Sequence, residues 1–453
     1  MACQALLSQI IDALTAIDPA ATPQSISKLQ GNITGVNTDT RTLQPGELFV
    51  ALEGDNFNGH DFAARAIAKG AIAAVVRKGA LTADLPRIEV SDTLVAYQAI
   101  GRWWRQQLGL PVVAITGSVG KTTTKELIAA ALAHHGSVLK TKANYNNEIG
   151  VPKTLLELAR DHQFAVVEMG MRGPGEIALL TQIAQPNIAV ITNVGTAHIG
   201  RLGSEQAIAD AKCELLAELP TGGTAVLNHD NPRLIETASQ VWQGNRITYG
   251  LTGGDIHGLI TDSQTMVVEG VTLRLPLPGQ HNALNLLAAI ATLKALNLDW
   301  QFLKDGLTVE MPAGRAQRKQ LPNDITLLDE TYNAGYESMV AALRLLAEQP
   351  GQRHIAVLGT MKELGHKSVE LHYQVGQIAH KLGLDQLLIL ADPDEANALS
   401  QGADTIPNQQ FENHNTLAAY LEKFIQPGDC LLFKASRSVA MDKIVDGLID
   451  ALQ

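Results

Sequence analysis

The octapeptide Thr116-Gly117-Ser118-Val119-Gly120-Lys121-Thr122-Thr123 constrains this chain more than any other stretch. It follows a β-rich run, PVVAIT (111–116), and opens a helical run, KTTTKELIAAALAHH (121–135), with Gly136 as its stop. Strand, glycine turn, Lys-Thr and helix in that order are the setting of a phosphate loop, and a chance lysine after a glycine turn does not explain the order. The glycines let backbone N–H groups curl toward phosphate oxygens, and the helix N-terminus adds partial positive charge. Lys121 supplies a cation for the β- and γ-phosphates, and the Thr122 hydroxyl can hold Mg²⁺. The common form G-x-x-x-x-G-K-[ST] would need glycine at 115, where Ile115 stands. The shorter T-G-x-x-G-K-T form therefore narrows the families to which the chain can belong.

Such a loop needs a parallel sheet behind it, and the flanking sequence supplies one. FAVVEM (164–169), IAVITN (188–193) and TAVLN (224–228) read as further strands separated by helical stretches, and HNALNLLAAIATLKAL (281–296) as a long helix. Alternation of this kind indicates a doubly wound, mostly parallel sheet with helices on both faces. Before it, GELFVAL (46–52), HDFAARAIAKG (60–70) and AIAAVV (71–76) form a smaller α/β unit. After a break at Met311-Pro312-Ala313-Gly314, ITLLDE (325–330), HIAVLG (354–359), QLLIL (386–390) and CLLFK (430–434) form a third, Rossmann-like one. The fold class is α/β, with three consecutive domains at 1–110, 111–312 and 313–453. A length of 453 residues fits three domains at roughly 100–200 residues each.

Composition excludes several classes. A formal net charge of −11 argues against non-specific nucleic-acid binding, which needs a basic surface. Cys3, Cys213 and Cys430 are too few and too far apart for a disulfide framework or a zinc site, so a reducing cytoplasm is expected. The first residues, MACQALLSQIIDALTAIDP, lack a basic leader and read as an amphipathic helix. No apolar run approaches the ~18 residues that would span a bilayer. The expectation is a cytoplasmic monomer with no nucleic-acid partner and no membrane insertion.

Four further features carry chemistry. Glu168 ends the strand FAVVEM, and in a parallel sheet that end faces the ligand crevice, where a carboxylate can coordinate Mg²⁺. His198 follows the next strand and emerges at the same edge. Lys212 lies on the helix SEQAIADAKCELLAEL (204–219), on one stripe with Ile208 and Leu215, either snorkelling or held neutral for a purpose. Asn144, Asn146, Asn147 and Glu148 form a dense polar cluster before a helix, either a turn or a set of hydrogen-bonding groups beside the phosphates.

Over essentially its whole length the chain resembles the Mur ligase family of ATP-dependent amide-forming enzymes. The stretches that carry the resemblance are VNTDTRTLQPGELFVALEGDNFNGHDF (36–62), TGSVGKTTTKE (116–126), NYNNEIGVPKTLL (144–156), VVEMGMRGPGEI (166–177), TNVGTAHIGRLGS (192–204), GQHNALN (279–285), DETYNAGYESM (329–339) and VLGTMKELG (357–365). The resemblance implies a UDP-sugar in the N-terminal domain, ATP in the central one and an incoming amine in the C-terminal one. By the same resemblance Asp39, Thr40, Arg41, Asn58 and His60 belong to the nucleotide-sugar segment, with Asn146, Asn147 and Glu148 on the substrate side. Asn285 matches an adenine-contacting asparagine, Arg315 a phosphate-side arginine, Glu330 a ribose or phosphate contact, Glu168 and His198 Mg²⁺ ligands, and Lys212 a lysine carried as a carbamate.

The stretches 36–62, 144–156 and 329–365 point to the branch that joins D-alanyl-D-alanine to UDP-N-acetylmuramoyl-tripeptide through an acyl phosphate. A sister ligase adding diaminopimelate, lysine or, on folate, glutamate is the first alternative. A nucleotide-hydrolysing switch is the second, and it lacks support from any N-K-x-D or L-S-G-G-Q stretch. The chain departs from the family pattern at Glu330 for aspartate, at Gly335-Tyr336 for Asn-Pro, at Thr360 for aspartate and at Ala435 for glycine. Asp230-Asn231-Pro232-Arg233 copies an amino-acid-binding signature that sister ligases carry in their C-terminal domain; here it follows a central strand and reads as a turn.

Overall fold

In the computed structural model, which describes residues 3–24 and 31–452, the run before the phosphate loop is the strand Val112–Thr116, buried throughout. Val113 and Ile115 share one core with Leu127 and Ile128 of the helix Lys121–Leu132 and with Leu286 and Ile290 of the helix Gln280–Ala295. Val112 and Ala114 belong to a second core with Leu155, Leu180 and Leu215. Burial on both faces is why the strand is continuously apolar and does not alternate.

The central sheet has nine strands, in the spatial order Val138–Lys140, Phe164–Glu168, Val112–Thr116, Ile188–Ile191, Thr224–Asn228, Asn245–Gly250, Ile256–Asp262, Thr265–Val268 and Val271–Arg274. Pairing is parallel as far as Ile256–Asp262 and antiparallel beyond it. Strand Val112–Thr116 lies between Phe164–Glu168 and Ile188–Ile191, so the chain reverses its direction of travel across the sheet there. A ligand crevice opens at the carboxyl ends of strands at such a switch point. Glu168 and His198 therefore stand on either side of the phosphate loop.

The smaller N-terminal sheet runs Thr22–Gln24, Arg87–Val90, Ala73–Arg77, Leu48–Val50, Val36–Asn37 and is parallel except at its first pairing. The predicted N-terminal helix is Leu7–Ile17, burying Leu7, Ile10 and Leu14; Met1 and Ala2 lie outside the described residues. The C-terminal sheet runs Gln317–Leu321, Ile325–Asp329, Asp429–Lys434, Arg353–Gly359, Gln386–Leu390, Asn408–Gln410, again parallel after an antiparallel edge.

The helix Thr93–Leu108 binds the first two units together. Asp92 caps it by accepting from the Leu94 and Val95 N–H groups, and Gly109 ends it in the left-handed region. Its Trp104 Nε1 donates to the Leu158 carbonyl at 2.9 Å. The buried Arg105 donates to the carbonyls of Ala184 (3.0 Å) and Gln185 (3.2 Å) and to Asn187 Oδ1 (3.0 Å). The three cysteines are buried and unpaired, and among the described residues no helix is long and apolar enough to cross a membrane.

Candidate active site

The phosphate loop is held open by its neighbours. Gly120 sits at φ +83°, where a Cβ would come 2.8 Å from Asn285 Oδ1, and a Cβ on Gly117 would overlap the Thr192 hydroxyl. Both positions require glycine. Asn193, the second residue after the strand Ile188–Ile191, clamps the loop: Ser118 N–H donates to its carbonyl (3.1 Å) and Val119 N–H to its Oδ1 (3.0 Å). Ser118 Oγ accepts from Gly195 N–H at 2.9 Å. Lys121 Nζ lies over the loop, 2.7 Å from the Gly117 carbonyl, and burial lowers its pKa against the pull of Glu168. The helix begins at Lys121, so the N–H groups of its first turn have no intrahelical acceptor.

Beside the loop, Glu168 Oε2 accepts from Thr122 Oγ1 at 2.9 Å and Oε1 accepts from Asn146 Nδ2 at 2.8 Å. Behind it lies a buried lysine, Lys125, whose ammonium is 2.9 Å from Glu126 Oε1, donates to the Thr141 carbonyl at 2.8 Å and lies 4.0 Å from Glu168 Oε2. Asn147 Oδ1 accepts from Gly150 N–H at 2.9 Å and starts the helix Gly150–Leu156. Asn285 Oδ1 accepts from Thr124 Oγ1 at 3.0 Å, which ties the helix Gln280–Ala295 to the phosphate-loop helix.

Many of these groups line one cavity of about 1030 Å³ between the central and C-terminal domains. Ser118, Val119, Gly120, Lys121, Thr122, Thr123, Asn146, Asn147, Glu148, Glu168, His198 and Asn285 stand on its central wall. Arg315 and Glu330 stand opposite, with Lys362, Lys434 and Arg437. Arg315 stacks its guanidinium on the Tyr332 ring at 3.8 Å. Glu330 Oε1 accepts from Ala316 N–H at 3.1 Å, and Lys434 lies 3.8 Å from Oε2; burial drives both partners toward neutrality, and each opposes the shift in the other. Thr360 Oγ1 accepts from Asp392 N–H at 2.8 Å, and Asp392 pairs with Lys362.

Other sequence candidates lie elsewhere. Gly117 is under the loop, and Lys212 is buried on the helix Glu205–Ala217, outside the cavity wall. Burial, then the nearby Lys121 ammonium, drives the Lys212 pKa well down, and its amine makes no hydrogen bond or ion pair among the described residues. His198 points Nδ1 at Glu363 Oε2, at 2.6 Å, across the domain boundary. No group of three or more His, Cys, Asp or Glu side chains able to hold a metal is present among the described residues. The Thr122 hydroxyl and the Glu168 carboxylate are nevertheless hard oxygen donors 2.9 Å apart beside the loop, a pair suited to Mg²⁺ completed by phosphate oxygens and water.

Asp39, Thr40, Arg41, Asn58 and His60 belong to the N-terminal domain, away from this cavity. Arg41 forks onto Asp39 at 2.7 and 3.0 Å, and hydrogen bonds from Arg41 hold the Asp39 carboxyl down at about 2. The Thr40 carbonyl accepts from Lys69. His60 uses both ring nitrogens internally: Nδ1 lies 2.7 Å from Asn58 Oδ1, and Nε2 accepts from Arg77 N–H at 2.8 Å. Asp230-Asn231-Pro232-Arg233 is a turn: Asn231 Oδ1 caps the helix Pro232–Val241 through Leu234 N–H, and Asp230 accepts from Leu251 and Thr252.

Sequence reading misses Asn193, Lys125, Glu337 and Glu363. Only Asn193, the last residue of the apolar run 188–193 at the ligand edge, carries a local signal.

The chain matches the Mur ligase middle domain over residues 115–293, the Mur ligase glutamate ligase domain over 314–437, and the Mur ligase family catalytic domain over 32–102. It is 56% identical to the UDP-N-acetylmuramoyl-tripeptide–D-alanyl-D-alanine ligase of Synechocystis sp., covering 92% of each chain. It is 39% identical to the Escherichia coli protein of that name, covering 93% of this chain and 95% of the other. A crystal structure of MurF from Acinetobacter baumannii superposes with a TM-score of 0.89 at 31% identity, over 99% of both chains. MurF from Thermotoga maritima in complex with ADP gives 0.82 at 28% identity, over 92% of this chain and 97% of the other. With its three domains matched in order and its phosphate loop facing a shared cavity, the chain belongs to the Mur ligase family.

Proposed function

We propose that the chain is an ATP-dependent ligase that joins D-alanyl-D-alanine to UDP-N-acetylmuramoyl-tripeptide, giving UDP-N-acetylmuramoyl-pentapeptide, ADP and phosphate. The observation that carries this reading is the single cavity in which the phosphate loop and Glu168 face the cations of the C-terminal domain, in a chain 56% identical to a relative named for that reaction. The experiment that tests it is release of ADP and phosphate against a panel of UDP-precursors and amine acceptors.

In this reading the substrate carboxylate attacks the γ-phosphorus of ATP, an O–P bond forms and ADP departs. The dipeptide amine then attacks the acyl carbon through a tetrahedral intermediate, the C–N bond forms and phosphate leaves. Two anions must meet in the first step. Lys121 and the first-turn N–H groups hold the phosphates and lower that repulsion. Thr122 and Glu168, with His198 on the same wall, would hold Mg²⁺, which when bound supplies further charge neutralisation at the phosphates. Acyl phosphates hydrolyse in water, so closure of the two cavity walls around the intermediate would protect it. Asn285 and Arg315 are assigned to ATP, and the Asp39–Arg41 segment with Asn58 and His60 to the UDP-sugar. The step belongs to peptidoglycan precursor synthesis. The reading places it in the cytoplasm, where three free buried thiols are at home, with the chain acting as a monomer.

Lys212 is expected to carry a carbamate. The group forms from the neutral amine and carbon dioxide with loss of a proton, and a buried amine with no partner among the described residues is available for it. The carbamate would place an anion beside Lys121, a charge that a Mg²⁺ ion favours. Lys212→Ala should lose activity and regain part of it with short carboxylates. An intact-mass or density measurement on active, Mg²⁺-loaded protein showing plain lysine would refute the assignment.

A further inference from the structure

Two carboxylates of the C-terminal domain grip one loop of the central domain. Glu363 lies against His198 and Arg201, and its carbonyl accepts from Gly200 N–H at 3.0 Å. Gly200 and Gly365 meet backbone to backbone, with no room for a side chain on either. Glu337 makes the second grip: Oε1 accepts from Thr196 N–H at 2.6 Å, and Oε2 lies 3.3 Å from Thr196 Oγ1.

The placement of Glu337 is not what its own helix asks for. It sits in the first turn of the helix Tyr336–Ala347, where an acidic side chain is normally drawn to the N–H groups of its own helix end. The N–H of Gly335, at that helix end, is taken by Ser338 Oγ at 3.1 Å, and Glu337 reaches across to the other domain. Gly195 makes space for it: a Cβ there would overlap the Glu337 carboxylate, whose atoms are its three nearest neighbours. Gly195 N–H in turn donates to Ser118 Oγ in the phosphate loop. Two hydrogen bonds and one peptide thus connect a C-terminal helix to the phosphate loop. The same loop carries His198.

We propose that Glu337 is a positioning residue of the ligation reaction. By holding Thr196 it fixes the segment from Gly195 to His198 in register with the C-terminal domain, so that the phosphate loop and the acceptor wall are presented to each other in one geometry. The inference deepens the ligase reading and rests on it. Glu337 lines the cavity, but both its oxygens are taken by Thr196, so it acts through Thr196 and Gly195.

The test uses the full chain with ATP, UDP-N-acetylmuramoyl-tripeptide and D-alanyl-D-alanine. Loss of a charge-assisted hydrogen bond between domains predicts that Glu337→Ala lowers kcat/KM for the dipeptide about 10- to 100-fold. Part of that loss should be a raised KM for the dipeptide, with the far-ultraviolet circular dichroism unchanged and the melting temperature lowered by no more than about 2–8 °C. Glu337→Gln, which keeps an acceptor oxygen for Thr196 N–H, should recover most of it. Gly195→Ala displaces the same carboxylate from the other side and should reproduce the defect. The double variant should be no worse than the poorer single one, because both changes remove one contact. Hydrogen exchange at the Thr196 amide should accelerate in each alanine variant.

Multiplicative defects in the double variant would overturn the proposal, as would wild-type kinetics with an unchanged Thr196 exchange rate in Glu337→Ala. If the unaltered protein fails to turn over the dipeptide, the ligase reading fails instead, and the exchange measurement still decides the contact.

Discussion

A single amino acid offered in place of D-alanyl-D-alanine is expected to be joined ~10⁴–10⁵-fold less efficiently, the discrimination seen where a site built to hydrogen-bond a group meets an analogue lacking it. A dipeptide brings one more amide and carries its carboxylate one residue further out. The wall that would receive it is polar and buried: Lys434 and Ser436 line the cavity and are each under 5% exposed. Ser436 Oγ already accepts from Lys362 N–H at 2.8 Å, and Lys434 donates to the Asn333 carbonyl at 2.9 Å. Such a wall is rigid, so a shorter acceptor leaves a buried group without a partner and the wall does not collapse onto it. The check is kcat/KM from acceptor-dependent ADP and phosphate release with UDP-N-acetylmuramoyl-tripeptide. Turnover of diaminopimelate or lysine on a UDP-dipeptide precursor, with none for D-alanyl-D-alanine, would reassign the branch. Silence from every amine would sink the ligase reading.

Lys121→Ala is expected to cost ~10²–10³ in kcat, the size of effect found when one preorganised electrostatic donor is removed from a site. Among the described residues the ammonium hydrogen-bonds only to the carbonyls of its own loop, at 2.7 Å to Gly117 and 3.4 Å to Ser118, so no bond to another element is lost with it. Far-ultraviolet circular dichroism and the melting temperature should match the parent protein. Turnover close to the parent's in a folded variant would remove the phosphate-loop assignment.

The sequence is most legible where chemistry and structure are both local. Thr116 to Thr123 is contiguous, and the strands flanking it are buried on both faces, so their apolar runs stand out. The hairpin strands Thr265–Val268 and Val271–Arg274 are not legible because their turn, Glu269-Gly270, puts a glutamate rather than asparagine or aspartate at φ +49°. Gln317–Leu321 is an edge strand reading Gln-Arg-Lys-Gln, whose charge guards an open edge and hides the strand in the sequence. Asp39, Arg41 and His60 are visible only through family resemblance; without it they are a loop ion pair and a histidine bonded within its own domain. Glu337 and Glu363 are invisible, since their partners lie more than a hundred residues away on another domain and no periodicity links the two.

The helix Thr93–Leu108 precedes the predicted boundary at residue 110, yet its Trp104 and Arg105 are seated in the central domain. This matters for how such a chain can be inherited in pieces. A recombination that replaced everything through Leu110 would bring a foreign helix to a surface shaped for an indole and a guanidinium. It would leave the carbonyls of Leu158, Ala184 and Gln185 without these donors, each costing about 1–3 kcal/mol where buried, while Asn187 Oδ1 would keep only the Val112 N–H. The first two domains are therefore one unit of exchange. The C-terminal domain is tied in as well, through the loops at Thr196 and Gly200 and through an apolar core that joins its Met339 and Leu364 to Val194 and Ile199, so a foreign copy would have to match that seam too.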